Sequence, residues 1–112
     1  MIVLFFGDSL VNGVNDPEGL GWVGRLCVAA HRRGHEFTAY NLGVRANTSG
    51  HVLERWRTEG ELRRLPGQEV RLVFAFGTAD MVLEDGQRRV SMKDSVANAR
   101  AILEWSMSWG PG

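Results

Sequence analysis

The fold is decided by the stretch IVLFFGDSL, residues 2–10, in which an uninterrupted apolar run leads directly into a small polar turn. The run ends at Gly7 and is rich in β-branched and aromatic residues, the pattern of a strand buried on both faces, as in a parallel sheet. A serine in the turn that leaves such a strand can expose its hydroxyl while backbone N–H groups converge beside it. A Gly-Asp-Ser triplet alone is more typical of an ordinary turn, so Ser9 is at this point only a candidate nucleophile.

The rest of the chain alternates between helix and strand patterns. Residues 36–42 favour a second strand that ends at Gly43, and the apolar run 70–76 predicts a third strand that ends at Gly77. Helix signals lie between and after these strands: Asp16-Pro17 as a start, Thr48 or Ser49 as a cap, and Ser91 with Asp94 as a capping box. The order β-α-β-α-β-α predicts right-handed crossovers and a three-stranded parallel sheet flanked by helices.

Each predicted helix carries apolar residues at three- and four-residue spacing, which defines the face that it is expected to bury. These residues are Val23, Leu26, Cys27 and Ala30 in the first helix, Val52, Leu53, Trp56 and Leu62 in the second, and Met92, Val96, Ala99 and Leu103 in the third. Trp105 and Trp109, near the end of the third helix, are also expected in the core.

Composition and charge narrow the classes of function. The chain has 112 residues (12.5 kDa), which is room for one domain over residues 1–112, and its 44% hydrophobic and 23% charged residues are ordinary globular proportions. Its 13 basic and 13 acidic residues cancel, so no cationic field attracts nucleic acid or an anionic membrane. The lone Cys27 makes no internal disulfide and holds no zinc by itself. With no membrane-length apolar run and no signal-peptide pattern, we expect a cytoplasmic protein.

Three short polar blocks follow the three predicted strands: GDSL at 7–10, NLG at 41–43 and GTAD at 77–80. In open parallel sheets, sites form beyond the carboxyl ends of the strands, so these blocks are expected to meet. The ordered set, together with GLGWVGRL at 19–26, resembles the SGNH or GDSL hydrolase family of esterases and lipases. The resemblance extends over the whole chain and implies a three-layer, flavodoxin-like α/β fold with strand order 2-1-3.

The resemblance also implies roles for individual residues. Ser9 would be the nucleophile that attacks a small ester substrate, and the backbone N–H groups of Ser9 and Gly43 would be two donors of the oxyanion hole. The third donor of the family is an asparagine side chain; here Ala79 stands at that position, and its methyl group cannot donate a hydrogen bond. Loss of one such donor typically costs a factor on the order of 10²–10³ in turnover. No metal and no organic cofactor are implied.

The general base is missing from the expected place. The family carries an Asp-x-x-His motif near its C-terminus, and no Asp-x-x-His occurs in this sequence. We therefore expect the chain to be the N-terminal portion of such a hydrolase, a domain truncated on its C-terminal side. His31 and His35 end the first helix, at the far end of the sheet from Ser9. His51 begins the second helix at the correct end, either as a substitute base or as an exposed first-turn residue.

Three residues near the serine are candidates for contact with the substrate. Asp8 either tunes the serine turn or fastens it through hydrogen bonds to backbone N–H groups. Asn12 either lines the pocket or holds the same loop. Arg45 either contacts an anionic group of the substrate or is solvated. Asp80, which follows Ala79, is expected to be a structural cap.

Two functions from different classes fit these observations, and a third fits poorly. The first is a serine ester hydrolase, inactive or weakly active as this chain because its base is missing. The second is a non-catalytic α/β module that keeps the fold without the chemistry. A flavodoxin-like nucleotide binder is disfavoured, because the loop after the first strand lacks the repeated Ser/Thr and Gly pattern that cradles a phosphate.

The sheet is expected to have an open edge that needs a partner. With strand order 2-1-3, residues 70–76 lie at one edge and are apolar on both faces, and such edges template association. We therefore expect either a homodimer or a complex with a separate C-terminal fragment.

Overall fold

The computed structural model describes residues 1–109, in which strands and helices alternate. The elements are β1 (Ile2–Gly7), α1 (Ser9–Asn12), α2 (Gly21–Arg32), β2 (Thr38–Gly43), α3 (Ser49–Arg63), β3 (Val70–Ala75), a 3₁₀ turn (Ala79–Met81), the short strands β4 (Leu83–Glu84) and β5 (Gln87–Arg88), and α4 (Met92–Ser108). No helix in this range is long and apolar enough to cross a membrane.

The main sheet consists of three parallel strands in the order β2-β1-β3. In its register Gly7, the last residue of β1, lies opposite Gly43 of β2 and Ala75 of β3. The predicted α/β class and the strand order 2-1-3 are confirmed. Because all three strands run in the same direction, the turns that follow them open at the same edge of the sheet.

The core lies on both faces of β1, as predicted for a strand without polar residues. On one face, Leu4 and Phe6 pack with Val52 and Trp56 of α3 and with Ile102 of α4. On the other face, α1 and α2 supply the apolar neighbours, including the partly buried Cys27. Helices therefore cover both faces of the sheet, and three layers result.

The first long helix begins later than the Asp16-Pro17 signal predicted. The Asp16 carboxylate accepts hydrogen bonds from the N–H groups of Gly21 (2.7 Å) and Glu18 (3.1 Å) and pairs with Arg25 (2.8 Å). These two N–H groups, with Arg25 nearby, lower the pKa of Asp16. Asp16 thus stabilises the start of the helix from within the preceding loop, and α2 itself begins at Gly21.

The last helix forms as α4, but the face predicted to be buried is wrong. Met92, Val96 and Leu103 are 68%, 52% and 58% exposed, whereas Ile102 is fully buried in the core with α3. The apolar stripe instead borders open grooves beside β3, where Leu103 lies near Leu72. The apolar residues do form a stripe along α4, but within the described residues nothing packs against that stripe.

Three other residues expected in the core are also exposed: Leu26, Leu62 and Trp105. Trp56 is fully buried, and Trp109 packs edge-on against it with ring centroids 5.8 Å apart. The core positions of Trp56 and Trp109 are therefore confirmed. Desolvation raises the pKa of the Cys27 thiol, which is consistent with its place in the packed layer under α2.

Candidate active site

Ser9 is the first residue of α1, in the turn that leaves the carboxyl end of β1. The buried Asp8 precedes it as the N-cap, and the carboxylate accepts a hydrogen bond from the N–H of Leu10 (3.0 Å). The carboxylate therefore fastens the turn, which was the structural alternative for Asp8. The N–H of Ser9 makes no hydrogen bond within residues 1–109, and it lies beside the half-buried Ser9 side chain.

The turn is tight because Gly7 has no side chain. A Cβ at this position would lie 2.1 Å from the carbonyl oxygen of Ala75 and 2.4 Å from Cγ2 of Val11, far inside van der Waals contact. Both β3 and α1 therefore approach β1 closely at the residue where the strand ends. Gly13, with a φ of 90°, then ends α1 in the left-handed conformation that favours glycine.

Two asparagines fasten α1 to the end of β2. The Nδ2 of Asn12 donates to the carbonyl of Gly43 (3.0 Å), and the Nδ2 of Asn41 donates to the carbonyl of Val11 (2.8 Å). Asn12 thus holds the loop, the structural alternative for this residue. The Oδ1 of Asn41 accepts from the N–H of Gly43 (3.0 Å). The donor that the resemblance assigned to Gly43 is therefore already engaged and is not free to bind an oxyanion.

The loop after β2 holds an alanine in an unusual conformation. The N–H of Asn47 donates to the carbonyl of Val44 (3.1 Å), and Ala46 between them has a φ of 67°, in the left-handed region. The N–H of Ala46 makes no hydrogen bond within the described part of the chain, so it is a free donor. Sequence reasoning missed this residue because an alanine carries no signal for a positive φ. Arg45, in the same turn, is exposed, consistent with the solvated alternative.

Asp80, which follows the buried Ala79, joins three elements. Its carboxylate accepts from the N–H of Ser49 (2.7 Å), at the start of α3, and from the hydroxyl of Ser95 (2.6 Å), on α4. Burial alone would raise the pKa of Asp80, but the hydrogen bonds from Ser49 and Ser95 outweigh it, and the pKa is lowered. The predicted structural cap is confirmed. The third turn is thus anchored, with a methyl group at the position where the family has a donor.

The histidines are engaged in other contacts. The Nδ1 of His51 accepts from the N–H of Thr48 (3.0 Å), while the Oγ1 of Thr48 accepts from the N–H of His51 (3.3 Å), which makes a capping box. In the neutral ring the other nitrogen then carries the proton, so no lone pair remains for the hydroxyl of Ser9. His31 stacks on Phe37, before the start of β2 and at the far end of the sheet. The geometry therefore supports His51 as a helix-start residue and not as a base.

An open cleft of about 650 Å³ lies beside the serine turn. Its walls are mainly apolar and include Leu10, Val14, Trp22, Phe76 and Thr78. Such a cleft suits the non-polar part of a small molecule. Among the residues that the structure describes, no group of three or more His, Cys, Asp or Glu side chains is arranged to hold a metal ion.

Solved structures that share this fold are hydrolases. The SGNH-hydrolase family esterase AlinE4 superposes with a TM-score of 0.76 at 25% identity, over 96% of this chain and 53% of that one. TesA gives a TM-score of 0.80 at 18% identity over 96% of this chain and 55% of its own, and the psychrotrophic esterase EstA from Pseudoalteromonas sp. gives 0.72 at 22% over 96% and 54%. No protein-family model and no curated protein sequence matches the chain.

Fold and site together define a hydrolase fold of the SGNH/GDSL type, and the resemblance drawn from the sequence is confirmed. The chain spans about half the length of the solved structures that it matches.

Proposed function

We propose that this chain carries the nucleophile of a serine ester hydrolase. The Oγ of Ser9 would attack the carbonyl carbon of a small carboxylic ester, form a tetrahedral oxyanion and expel the alcohol, leaving an acyl-serine that water then hydrolyses. The observation that carries the proposal is the free N–H of Ser9 at the start of α1, in a fold shared with esterases. A free N–H beside the nucleophile is what a developing oxyanion requires.

Hydrolysis by this chain alone is proposed to be slow. Among residues 1–109 no base is positioned to take the proton of the Ser9 hydroxyl, and proton transfer of this kind contributes typically 10²–10⁴-fold in rate. The side chain of Ala79 supplies no donor, and the N–H of Gly43 is engaged by Asn41.

The cleft and the charge balance limit the substrates and the setting. The apolar walls beside Ser9 favour an ester with a non-polar acyl or alcohol part. The absence of net charge argues against nucleic acid or an anionic membrane as a partner. A cytoplasmic location remains our proposal, based on the lone Cys27.

A non-catalytic module with the same fold is the second candidate function. It is favoured by the methyl group of Ala79 and by the engagement of His51 in a helix cap. The two functions differ in one measurable property, the nucleophilicity of Ser9.

A fluorophosphonate probe tests this property. The solved EstA structure is of an enzyme inhibited by monoethylphosphonate, so a phosphonate is a suitable electrophile for this test. As the Ser9 oxygen displaces fluoride, the purified chain should gain the mass of one probe less HF, mapped to Ser9 by peptide mass spectrometry. Labelling should be slow because no base is positioned within residues 1–109, and Ser9→Ala should not be labelled. Ser108→Ala removes an exposed hydroxyl that donates to the carbonyl of Trp105, and it should label at the wild-type rate. An unlabelled wild type, or unchanged labelling of Ser9→Ala, would favour the non-catalytic module.

A further inference from the structure

The side chain of Arg55 joins the two loops that border Ser9. It projects from α3 and is mostly buried, with 17% of the side chain exposed. Its Nη2 donates to the carbonyl oxygens of Gly7 (3.0 Å) and Leu42 (2.8 Å), and its Nε donates to the Oδ1 of Asn47 (2.6 Å). One guanidinium group thus contacts the end of β1, the end of β2 and the loop that follows β2.

The two carbonyl groups set the direction of neighbouring N–H groups. A peptide unit is planar and trans, so the position of its C=O fixes the direction of the N–H of the next residue. The Gly7 carbonyl therefore orients the peptide unit from which the turn to Ser9 begins. The Leu42 carbonyl shares a peptide unit with the N–H of Gly43, and its bond to Arg55 directs that N–H away from the guanidinium group.

The charge of Arg55 is balanced within contact distance. Its Nη1 donates to the Oε2 of Glu59, one turn later on α3 (2.6 Å), and the guanidinium group lies over the ring of Phe6, 5.8 Å from the ring centre. Hydrogen bonds from a cation to carbonyl groups are stronger than neutral ones. Only a guanidinium group offers donors in a planar fork that reaches several fixed acceptors at once, so a lysine cannot replace this set of contacts.

We propose that Arg55 is a positioning residue for the nucleophile. Together with the backbone bond from the N–H of Val44 to the Gly7 carbonyl (3.1 Å), it holds the turn that carries Ser9 in a fixed relation to the loop after β2. The rate at which a bound electrophile reacts with Ser9 therefore depends on Arg55. The expected effect of Arg55 on the reaction rate of Ser9 rests on the proposed function. The expected effect of Arg55 on the relative position of the two loops does not. A misplacement of about 1 Å between reacting groups costs on the order of a hundredfold in rate.

The test is fluorophosphonate labelling of the whole chain, with kinact and KI measured separately. Arg55→Lys keeps the charge and loses the fork; kinact should fall on the order of tenfold to a hundredfold. KI should change by less than about threefold, because the apolar cleft that binds the probe is unaltered. Arg55→Ala should lose at least as much kinact, and added methylguanidinium should restore part of it.

Arg63→Lys is the matched control on the same helix. Arg63 donates to the carbonyl of Glu59 (2.8 Å) and lies over the ring of Tyr40, without contacting a strand end near Ser9. This variant should keep the wild-type kinact. An unchanged kinact in a folded Arg55→Lys chain would refute the positioning role and leave the proposed function intact.

Two further measurements keep the proposal decidable. If the wild type does not label, the proposed function fails, and amide NMR tests whether Arg55 holds the two loops in a fixed relation. Arg55→Lys should shift the amide resonances of residues 7–9 and 43–47. Methylguanidinium should reverse the shifts that Arg55→Ala causes. Shifts no larger than those of Arg63→Lys would refute the fixed relation. If the Arg55 variants do not fold, Asn47→Ala is tested instead, because it removes only the acceptor of the Arg55 Nε. This variant should lower kinact, or shift the same resonances, by less than is expected for loss of the whole guanidinium group. An Asn47→Ala chain with no change in kinact or in these resonances would refute the proposal.

Discussion

The two outer strands of the sheet differ in how their surroundings are completed. The end of β2 is tied by directional bonds, through Asn12 and Asn41 to α1 and through Arg55 to α3. Beside β3, in contrast, Leu72 and Leu103 border an open groove. The side-chain contacts that hold the turn of Ser9 thus lie on the β2 side, and within residues 1–109 the open apolar groove lies on the β3 side.

The sequences of these two strands match their surroundings. β2 reads TAYNLG and exposes Thr38, Tyr40 and Asn41, as is typical of an edge strand that faces water. β3 reads VRLVFA, with Arg71 as its one charged residue, which is the composition of an interior strand. Polar edges resist pairing with other chains and apolar edges promote it. The difference indicates that the composition of β2 suits the outer strand of a sheet, whereas the composition of β3 does not.

The largest effect is expected from a methyl group added on the β2 side. Gly43→Ala would place a Cβ 2.3 Å from the backbone N of Asn12 and 2.8 Å from the carbonyl oxygen of Asp8, so α1 would have to move. We expect a loss of about 3 kcal/mol in the free energy of unfolding, measured by urea denaturation. Gly50→Ala is the control within α3: its nearest atom would be 3.6 Å away, and helix propensity should add up to about 1 kcal/mol. Equal stabilities would contradict the close packing of α1 on β2.

The second effect concerns Asp80, the polar anchor beyond β3. Asp80→Asn keeps the shape but removes the charge that accepts from Ser49 and Ser95, and the free energy of unfolding should fall by about 2 kcal/mol at neutral pH. Because the pKa of Asp80 is lowered in the folded chain, its stabilisation is present above the unfolded-state pKa of about 3.9 and is lost as the pH falls through that value towards the folded pKa.

The pH profile separates this anchor from an ordinary surface carboxylate. The wild type should lose stability more steeply than Asp80→Asn between about pH 5 and pH 3. Asp85→Asn changes an exposed turn residue and should keep the wild-type slope. Parallel profiles for the wild type and Asp80→Asn would show that the carboxylate does not hold the third turn.

The third effect is on association through the β3 side. We propose a homodimer formed by the edge of β3 and the exposed face of α4, because a purified chain has only its own copies to cover that surface. Light scattering at micromolar concentration should show a dimer or a larger species. Leu103→Glu with Met107→Glu, at positions 58% and 86% exposed, should weaken the association by at least about tenfold, since charge on the face opposes its burial.

A matched substitution checks that the effect belongs to this face. Leu62 is 78% exposed on α3, and Leu62→Glu should leave the association unchanged. A wild-type chain that stays monomeric would contradict the homodimer. Dissociation of the dimer by a separately supplied C-terminal fragment would instead support the alternative partner.

The sequence was sufficient for the sheet because β1 carries its information locally. An apolar run bounded by Gly7 implies burial on both faces, and the turns that follow parallel strands must lie at one edge. The position of Ser9 in the turn after β1 was predictable for the same reason, since it depends on the strand before it. The capping role of Thr48 was also readable, because its partner His51 lies only three residues away. The partners of Asp80, in contrast, are Ser49 and Ser95, which only the fold brings close to it.

Features that depend on distant partners were not predictable. The prediction of which face of α4 is buried was wrong, because the apolar stripe of this helix lies on a surface that residues 1–109 do not cover. The engagement of the Gly43 N–H was missed for a different reason. Asn41 lies only two residues away, a spacing at which asparagine side chains commonly bind the backbone, but the resemblance assigned this N–H to the oxyanion hole. Arg55 was missed because an arginine within a helix reads as a solvated residue, and only the fold brings Gly7 and Leu42 within its reach.

The smallest effect is expected in the loop after β2, where Ala46 has a φ of 67°. The left-handed conformation costs an L-residue roughly 1–2 kcal/mol, and glycine avoids this cost but loses more entropy on folding, by about 0.4–1 kcal/mol. Ala46→Gly should therefore raise the free energy of unfolding by about 0.5–1 kcal/mol, measured by urea denaturation. Ala97→Gly, at an exposed position inside α4, should lower it by about 1 kcal/mol. A higher free energy of unfolding for Ala46→Gly would mean that the β2-side contacts of Arg55 and Asn47 are strong enough to hold a strained residue. A lower free energy of unfolding would mean that the alanine relaxes out of this conformation, and that the loop is held less firmly than the strand end.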